Sequence, residues 1–238
     1  MQPPLIKHYL LPLYLGLCIA MGPSTVFSQN QAVILQYHHV STQMPAITSL
    51  SPDAFSEHMN YLENNEFTVL RLEDVISSLK SSQPLPDKTA VITFDDGYTS
   101  VYDIAFPVLM ELGWPYTVFV TTGLVGSNDS LYATWDQLRE MAEHGATLAN
   151  HTVTHPYLLD RSVNQTESDW LAQVRQEIVE AENTLVEQTG QNHKLLAYPY
   201  GEYNSEIQEL VESLGFTGIG QHSGPISTIS DFTALPRF

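Results

Sequence analysis

Two adjacent carboxylates, Asp95 and Asp96, stand between an apolar run and a glycine in Ala90-Val91-Ile92-Thr93-Phe94-Asp95-Asp96-Gly97-Tyr98. Such a pair can hold a metal ion or exchange protons with a reacting group. The same Asp-Asp-Gly is also an ordinary turn signal, and taken alone that is its commoner meaning. Further on, His151-Thr152-Val153-Thr154-His155 sets two imidazoles four residues apart. On a helical turn or in a compact loop they face the same way. Two imidazoles and a carboxylate make a three-ligand site for zinc, with a position left open. Cobalt or nickel suits the same donors.

These residues need elements to position them. The run 90–94 reads as a buried strand. Successive strand side chains point to opposite faces, so Asp95 and Asp96 share a site only if the strand stops there. Gly97 permits the stop. Further strands are predicted at 33–37, 67–70, 116–120, 147–150, 195–198 and 216–220. Helices are predicted at 72–79, 100–112 with a kink at Pro107, 135–144, 168–188 and 205–214. Another begins at Ser51, an N-cap followed by Pro52, and carries the stripe Phe55, Met59, Leu62. The alternation predicts a parallel sheet with outer helices, an α/β fold of the distorted (β/α) barrel type. His38-His39, Asp95-Asp96, His151, Tyr200 and His222 each follow a predicted strand, so a barrel would gather them on one face.

The chain has 238 residues, 43% hydrophobic and 15% charged, enough for one sizeable core. Residues 1–28, with Lys7, an apolar run and Val26-Phe27-Ser28, read as a secretory signal peptide. The expected location is therefore secreted or periplasmic, and membrane contact is expected only if that segment stays as an anchor. The single cysteine, Cys18, lies inside the leader, so residues 29–238 must build any metal site from His, Asp or Glu. A formal charge of −18 excludes nucleic acid as a natural partner. A monomer is expected.

Thr-Phe-Asp-Asp-Gly-Tyr at 93–98, His-Thr-x-x-His at 151–155 and Tyr-Pro-Tyr-Gly at 198–201 together resemble the polysaccharide deacetylase family. That is the NodB-homology group, carbohydrate esterase family four. The resemblance runs from about residue 33 to the end. It implies that Asp96, His151 and His155 hold the metal and that Asp95 is the general base. Thr152 would bind substrate or brace its loop. Tyr200 would offer its backbone N–H to the developing oxyanion, beside Pro199 in the substrate site.

The chain departs from the commonest family pattern in two places. A Leu-x-His motif near the C-terminus is missing, whereas Gln36-Tyr37-His38-His39-Val40 is similar to a Tyr-His motif of the biofilm-type poly-N-acetylglucosamine deacetylases. That match implies His38 as general acid, ahead of His39. The arginine usual two residues before the motif-three proline is Ala197 here. Asp231 and Arg237 resemble a later Asp/Arg element of the biofilm-type branch, and Arg237 would pair with Asp95. Since the chain stops at Phe238, a truncated or missing C-terminal segment is also expected. Gln221-His222-Ser223-Gly224-Pro225 follows a predicted strand and reads either as part of the sugar cleft, with His222 as the expected contact, or as a plain glycine-rich turn. Trp135 is expected to pack a helix, and Trp170 is a candidate for sugar stacking.

The resemblance implies a metal-dependent hydrolase that removes acetyl groups from N-acetylated polysaccharide. Poly-N-acetylglucosamine leads as substrate, then peptidoglycan or chitin oligomers. The alternatives are an O-acetyl esterase acting on xylan and a non-catalytic carbohydrate-binding protein on the same fold.

Overall fold

The structure is a computed structural model that describes residues 30–127 and 130–238. The expected leader over 1–28, with Cys18, lies outside the described residues. In chain order the elements are β1 (Gln31–Tyr37), β2 (His39–Val40), β3 (Ser49–Leu50), α1 (Pro52–Asn64), β4 (Thr68–Val69), α2 (Leu72–Lys80) and β5 (Thr89–Phe94). A π-helical turn, Val101–Ala105, runs into α3 (Phe106–Leu112), followed by β6 (Tyr116–Val120), α4 (Trp135–Glu143), β7 (Ala146–Asn150) and α5 (Glu167–Thr189). Then come β8 (Leu195–Ala197), a 3-10 turn at Pro199–Gly201, α6 (Ser205–Ser213), β9 (Thr217–Ile219) and β10 (Ile226–Ser227).

The main sheet runs β10-β1-β5-β6-β7-β8-β9, with β4 beside the start of β5. All its pairings are parallel except β10 on β1. The last residues carry the ring round. Leu235 bridges Ile219 in parallel, while the Phe238 N–H donates to Ile34 and its carbonyl accepts from Gln36. The segment 235–238 therefore lies between β9 and β1. Its approach depends on Gly218, where a side chain would begin 2.0 Å from the Thr233 carbonyl oxygen.

The strands sort their side chains by the two-residue period. On β5, Ala90, Ile92 and Phe94 join the outer core with Phe55, Met59 and Leu62 of α1. Val91 belongs to the inner cluster with Ile34, Phe119, Ala149 and Leu235. Leu72, Val75, Ile76 and Leu79 of α2 share that inner cluster. Both faces of β5 are buried along its length, as expected for a parallel strand covered on both sides. Each buried Phe, Met or Leu of the α1 stripe contributes about 1.5–3 kcal/mol.

The helix ends follow local chemistry. Ser51 accepts from the Ala54 N–H to cap α1. Thr134 and Gln137 form a reciprocal capping box on α4, and Gly190 ends α5 in the left-handed region. The expected kink at Pro107 takes the form of the widened turn before α3, which places the proline at the start of a new helix, where it is tolerated. The pair β2–β3 and strand β10 were not predicted. Each strand has only two residues, too short for a periodic signal.

Candidate active site and metal centre

The end of β5 separates the two carboxylates. The Asp95 N–H still donates to the Tyr37 carbonyl at 2.9 Å, as a strand residue would. Asp96 then takes φ 73° and Gly97 φ 80°, so the backbone turns left-handed at once. Aspartate tolerates that region better than most residues. The turn sends Asp95 into the barrel and Asp96 towards the loop after β7.

Asp96 Oδ1 lies 3.3 Å from Nε2 of His151 and 3.3 Å from Nε2 of His155. The ligating atoms of the three residues all fall within 4.8 Å of one another. His151 is buried, and its Nδ1 is 2.8 Å from the Ala197 carbonyl. A carbonyl only accepts, so Nδ1 carries the proton, and the neutral ring turns its Nε2 lone pair to the site while the charged ring donates from Nε2 to Asp96. Burial lowers the His151 pKa, but its hydrogen bond to Asp96 and the charges of Asp95 and Asp96 outweigh that and raise it. Burial and the neighbouring His151 lower that of His155. Asp96 is pushed up by burial yet brought below its ordinary value by His151. Two imidazole Nε2 atoms and a carboxylate gathered at one point are donors that fit a divalent ion.

Asp95 has no exposed surface, and burial alone would raise its pKa. Arg237 reverses the sign by charge and hydrogen bonding, helped by His151 and His38, and holds the carboxylate well below its usual range. The guanidinium is bidentate, with Nη1 to Oδ1 and Nη2 to Oδ2 both at 2.7 Å. Arg237 is itself anchored by the Gly220 carbonyl at 2.9 Å and by Thr93 Oγ1 at 3.3 Å. Gln36 donates a further bond to Asp95 Oδ2 at 2.9 Å.

His38 Nε2 is 3.8 Å from Asp95 Oδ2 and keeps 24% of its side chain exposed. It lines the cleft together with Asp96, Tyr98, His155, Tyr200 and Gln221. His39 is buried and stacked on Tyr98 at 3.5 Å. Of the two adjacent histidines, then, His38 faces the cleft. Tyr98 also bonds Asp96 through its hydroxyl.

Tyr200 sits in the left-handed region at φ 57°. Its ring meets His155 edge-on at 4.4 Å and stacks on Tyr157 at 4.0 Å. Pro199 is buried and starts the turn that presents Tyr200. Thr152 is fully buried. Its Oγ1 accepts from the His155 N–H at 3.1 Å, the geometry of a loop brace rather than a substrate contact.

Three expectations meet a different arrangement. Gln221 lines the cleft where His222 was expected. The His222 ring packs near Gly220 and Tyr203 instead, because its backbone carbonyl is turned to the Arg237 N–H. Asp231 is exposed and accepts from Thr233 and Gln208, so it braces its own loop. Trp170 is buried in the core of α5 and α6, with its indole N–H on the Leu158 carbonyl, and does not line the cleft. Trp135 packs against the outer core as expected. Gln36 and Tyr98 were not singled out in the sequence for a role in the site. Gln36 was the more readable of the two, being two residues from His38 and in the inward phase of β1.

Residues 82–219 match the family model for polysaccharide deacetylase. Over 205 residues the chain is 29% identical to YxkH of Bacillus subtilis (strain 168), whose name places it among the polysaccharide deacetylases; the match covers 86% of this chain and 69% of that one. It is 25% identical over 244 residues to the poly-beta-1,6-N-acetyl-D-glucosamine N-deacetylase of Escherichia coli (strain K12), covering 87% of this chain. It spans only 36% of that relative's length. The solved structure of the Streptococcus pyogenes deacetylase PplD in complex with acetate superposes with a TM-score of 0.78 at 26% identity, covering 88% of this chain and 92% of that one. With more than half of its length matched by the family model and its fold shared with a solved deacetylase, this chain belongs to the polysaccharide deacetylase family.

Proposed function

We propose that the protein removes acetyl groups from poly-N-acetylglucosamine, cleaving the carbon–nitrogen bond of the acetamido group and not peptide bonds. The observation that carries this reading is the placing of a clamped, ionised Asp95 beside the Asp96–His151–His155 cluster. Similarity to the E. coli relative and the Tyr37-His38 motif favour this polymer over peptidoglycan and chitin oligomers.

Asp96, His151 and His155 would hold a divalent ion, zinc by preference of the donor set. Bound there, it would supply Lewis acidity, making water easier to deprotonate and the acetyl carbonyl easier to attack. Asp95 accepts the proton of the attacking water. Arg237 keeps Asp95 ionised over the whole working pH range at some cost in basicity. The peptide N–H of Tyr200 donates to the carbonyl oxygen as it gains charge. The amine of the sugar cannot leave as an anion, so His38 gives it a proton. The products are acetate and a free amino sugar.

We further place the enzyme outside the cytoplasm, on the strength of the leader-like residues 1–28. The test is acetate release from residues 29–238, stripped of metal and then given zinc, cobalt or nickel. Poly-N-acetylglucosamine, chitin oligomers, peptidoglycan and acetylated xylan are compared in parallel. Metal-dependent release, fastest from poly-N-acetylglucosamine, is expected. Release from xylan alone would make the protein an ester hydrolase. Tight metal binding without release would make it a binding protein.

A further inference from the structure

The loop that carries both histidines is held in shape from outside the site. Thr152 and His155 both lie in the left-handed region, at φ 66° and 56°, a conformation that costs free energy unless its surroundings impose it. Each of the five peptide N–H groups from His151 to His155 has a partner. His151 donates to the Val120 carbonyl, Thr152 to Asn150 Oδ1 and His155 to Thr152 Oγ1. The other two, Val153 and Thr154, both donate to one oxygen of Glu177, at 2.9 Å each. The second Glu177 oxygen accepts from Thr154 Oγ1 at 3.0 Å. On the opposite side the loop carbonyls of Thr152 and Val153 accept from Thr122 and Gly123.

We infer that Glu177 of α5 is a positioning residue for the metal centre, fixing the 151–155 loop so that both imidazole Nε2 atoms reach Asp96. Nothing in the ligand motif names it; it lies more than twenty residues further along, on the longest helix. Its carboxylate fits the task because one oxygen accepts both converging peptide N–H groups while the other accepts the Thr154 hydroxyl, at a reach set by its two methylenes. Glu177 contacts neither the three ligands' side chains nor the cleft, so it acts through the backbone. Residues that orient metal ligands in this indirect way typically carry a 10–100-fold effect on affinity.

The inference rests on the proposed metal site, and the test separates the two. Zinc dissociation constants are measured by competition with a chromophoric chelator, and the cobalt-loaded visible spectrum is recorded as a report on ligand geometry. The proteins are wild type, His155→Ala, Glu177→Ala, Glu177→Asp and Glu177→Gln. Glu177→Gln keeps an acceptor at the same reach and is expected within about threefold of wild type. Glu177→Asp keeps the charge but falls short of the loop, and is expected to bind at least about fivefold more weakly with an altered cobalt spectrum. Glu177→Ala is expected to lose about 10–100-fold, with metal-free melting close to wild type. Should Glu177→Ala not fold, the Asp and Gln pair still decides. Equal affinity in all the Glu177 variants would overturn the inference while leaving the metal site intact. Loss in Glu177→Gln with Glu177→Asp unaffected would replace positioning by a charge effect and also overturn it. Failure of wild type to bind more tightly than His155→Ala would instead refute the metal site itself.

Discussion

The two flanks of the cleft are built to different standards. On the inner flank, Asp95 and Arg237 are both buried and joined by two bonds of 2.7 Å, with Gln36, Gly220 and Thr93 completing the set. On the outer flank, His38 keeps a quarter of its surface and meets Asp95 only at 3.8 Å. There Ile47, Tyr157 and Tyr200 stand 93%, 51% and 45% exposed. The inner flank is over-determined, as a group that must keep one charge and one orientation requires. The outer flank is lightly held, as suits a surface that meets a long polymer and releases it.

The comparison breaks most severely at Arg237. Arg237→Ala leaves a buried carboxylate without its counter-charge, which costs about 3–5 kcal/mol. Thermal melting should fall accordingly, and Asp95 should shift towards its protonated form, with acetate release falling at neutral pH and recovering partly at higher pH. Arg237→Lys should recover stability only in part, since an ammonium cannot reproduce the bidentate fork.

His38→Ala removes a side chain that is only a quarter exposed but makes no short bond, and should leave melting nearly unchanged. N-acetyl hydrolysis should drop by about 10²–10⁴, the usual range for a general acid. Hydrolysis of an activated acetate ester should drop far less, because its leaving group needs no proton. Rates on the two substrate types, measured side by side, check this.

Acid should weaken the inner flank. The folded-state pKa of Asp95 is depressed, so its contribution to stability is fully present above the unfolded value of about 3.9. That contribution is lost as pH falls from there through the folded value. Melting of the metal-free protein should decline below about pH 4, and less steeply in Arg237→Ala, where Asp95 has lost the partner that depresses it.

Tyr157→Ala should have the smallest effect. A cavity is not created at a half-exposed ring, so stability should move within about 0.5 kcal/mol. KM for the polymer should rise several-fold with kcat nearly unchanged, the pattern of a lost uniform binding contact.

The same contrast explains what could be read in advance. Asp95, Asp96, His151 and His155 stand out because each pair is close in sequence and each follows a strand. The alternating strands and helices that bring them together were legible from hydrophobic period and caps. Arg237 reaches Asp95 across 142 positions, and no local pattern encodes that distance; only the family resemblance suggested it. Tyr98 and Glu177 were missed for a related reason. Both act through partners chosen by tertiary packing, and their own neighbourhoods look like an ordinary turn and an ordinary helix. His222 was misplaced because a one-residue change of phase after β9 hands the cleft to Gln221.

The central claim is that two neighbouring carboxylates divide the work: Asp96 holds the metal, and Asp95, clamped by Arg237, moves the proton. The most direct test is to measure bound metal and acetate release together in Asp95→Asn. The account predicts one equivalent of metal bound, as in wild type, with acetate release reduced by about 10²–10⁴. Loss of the metal from Asp95→Asn, or release at the wild-type rate, would contradict it.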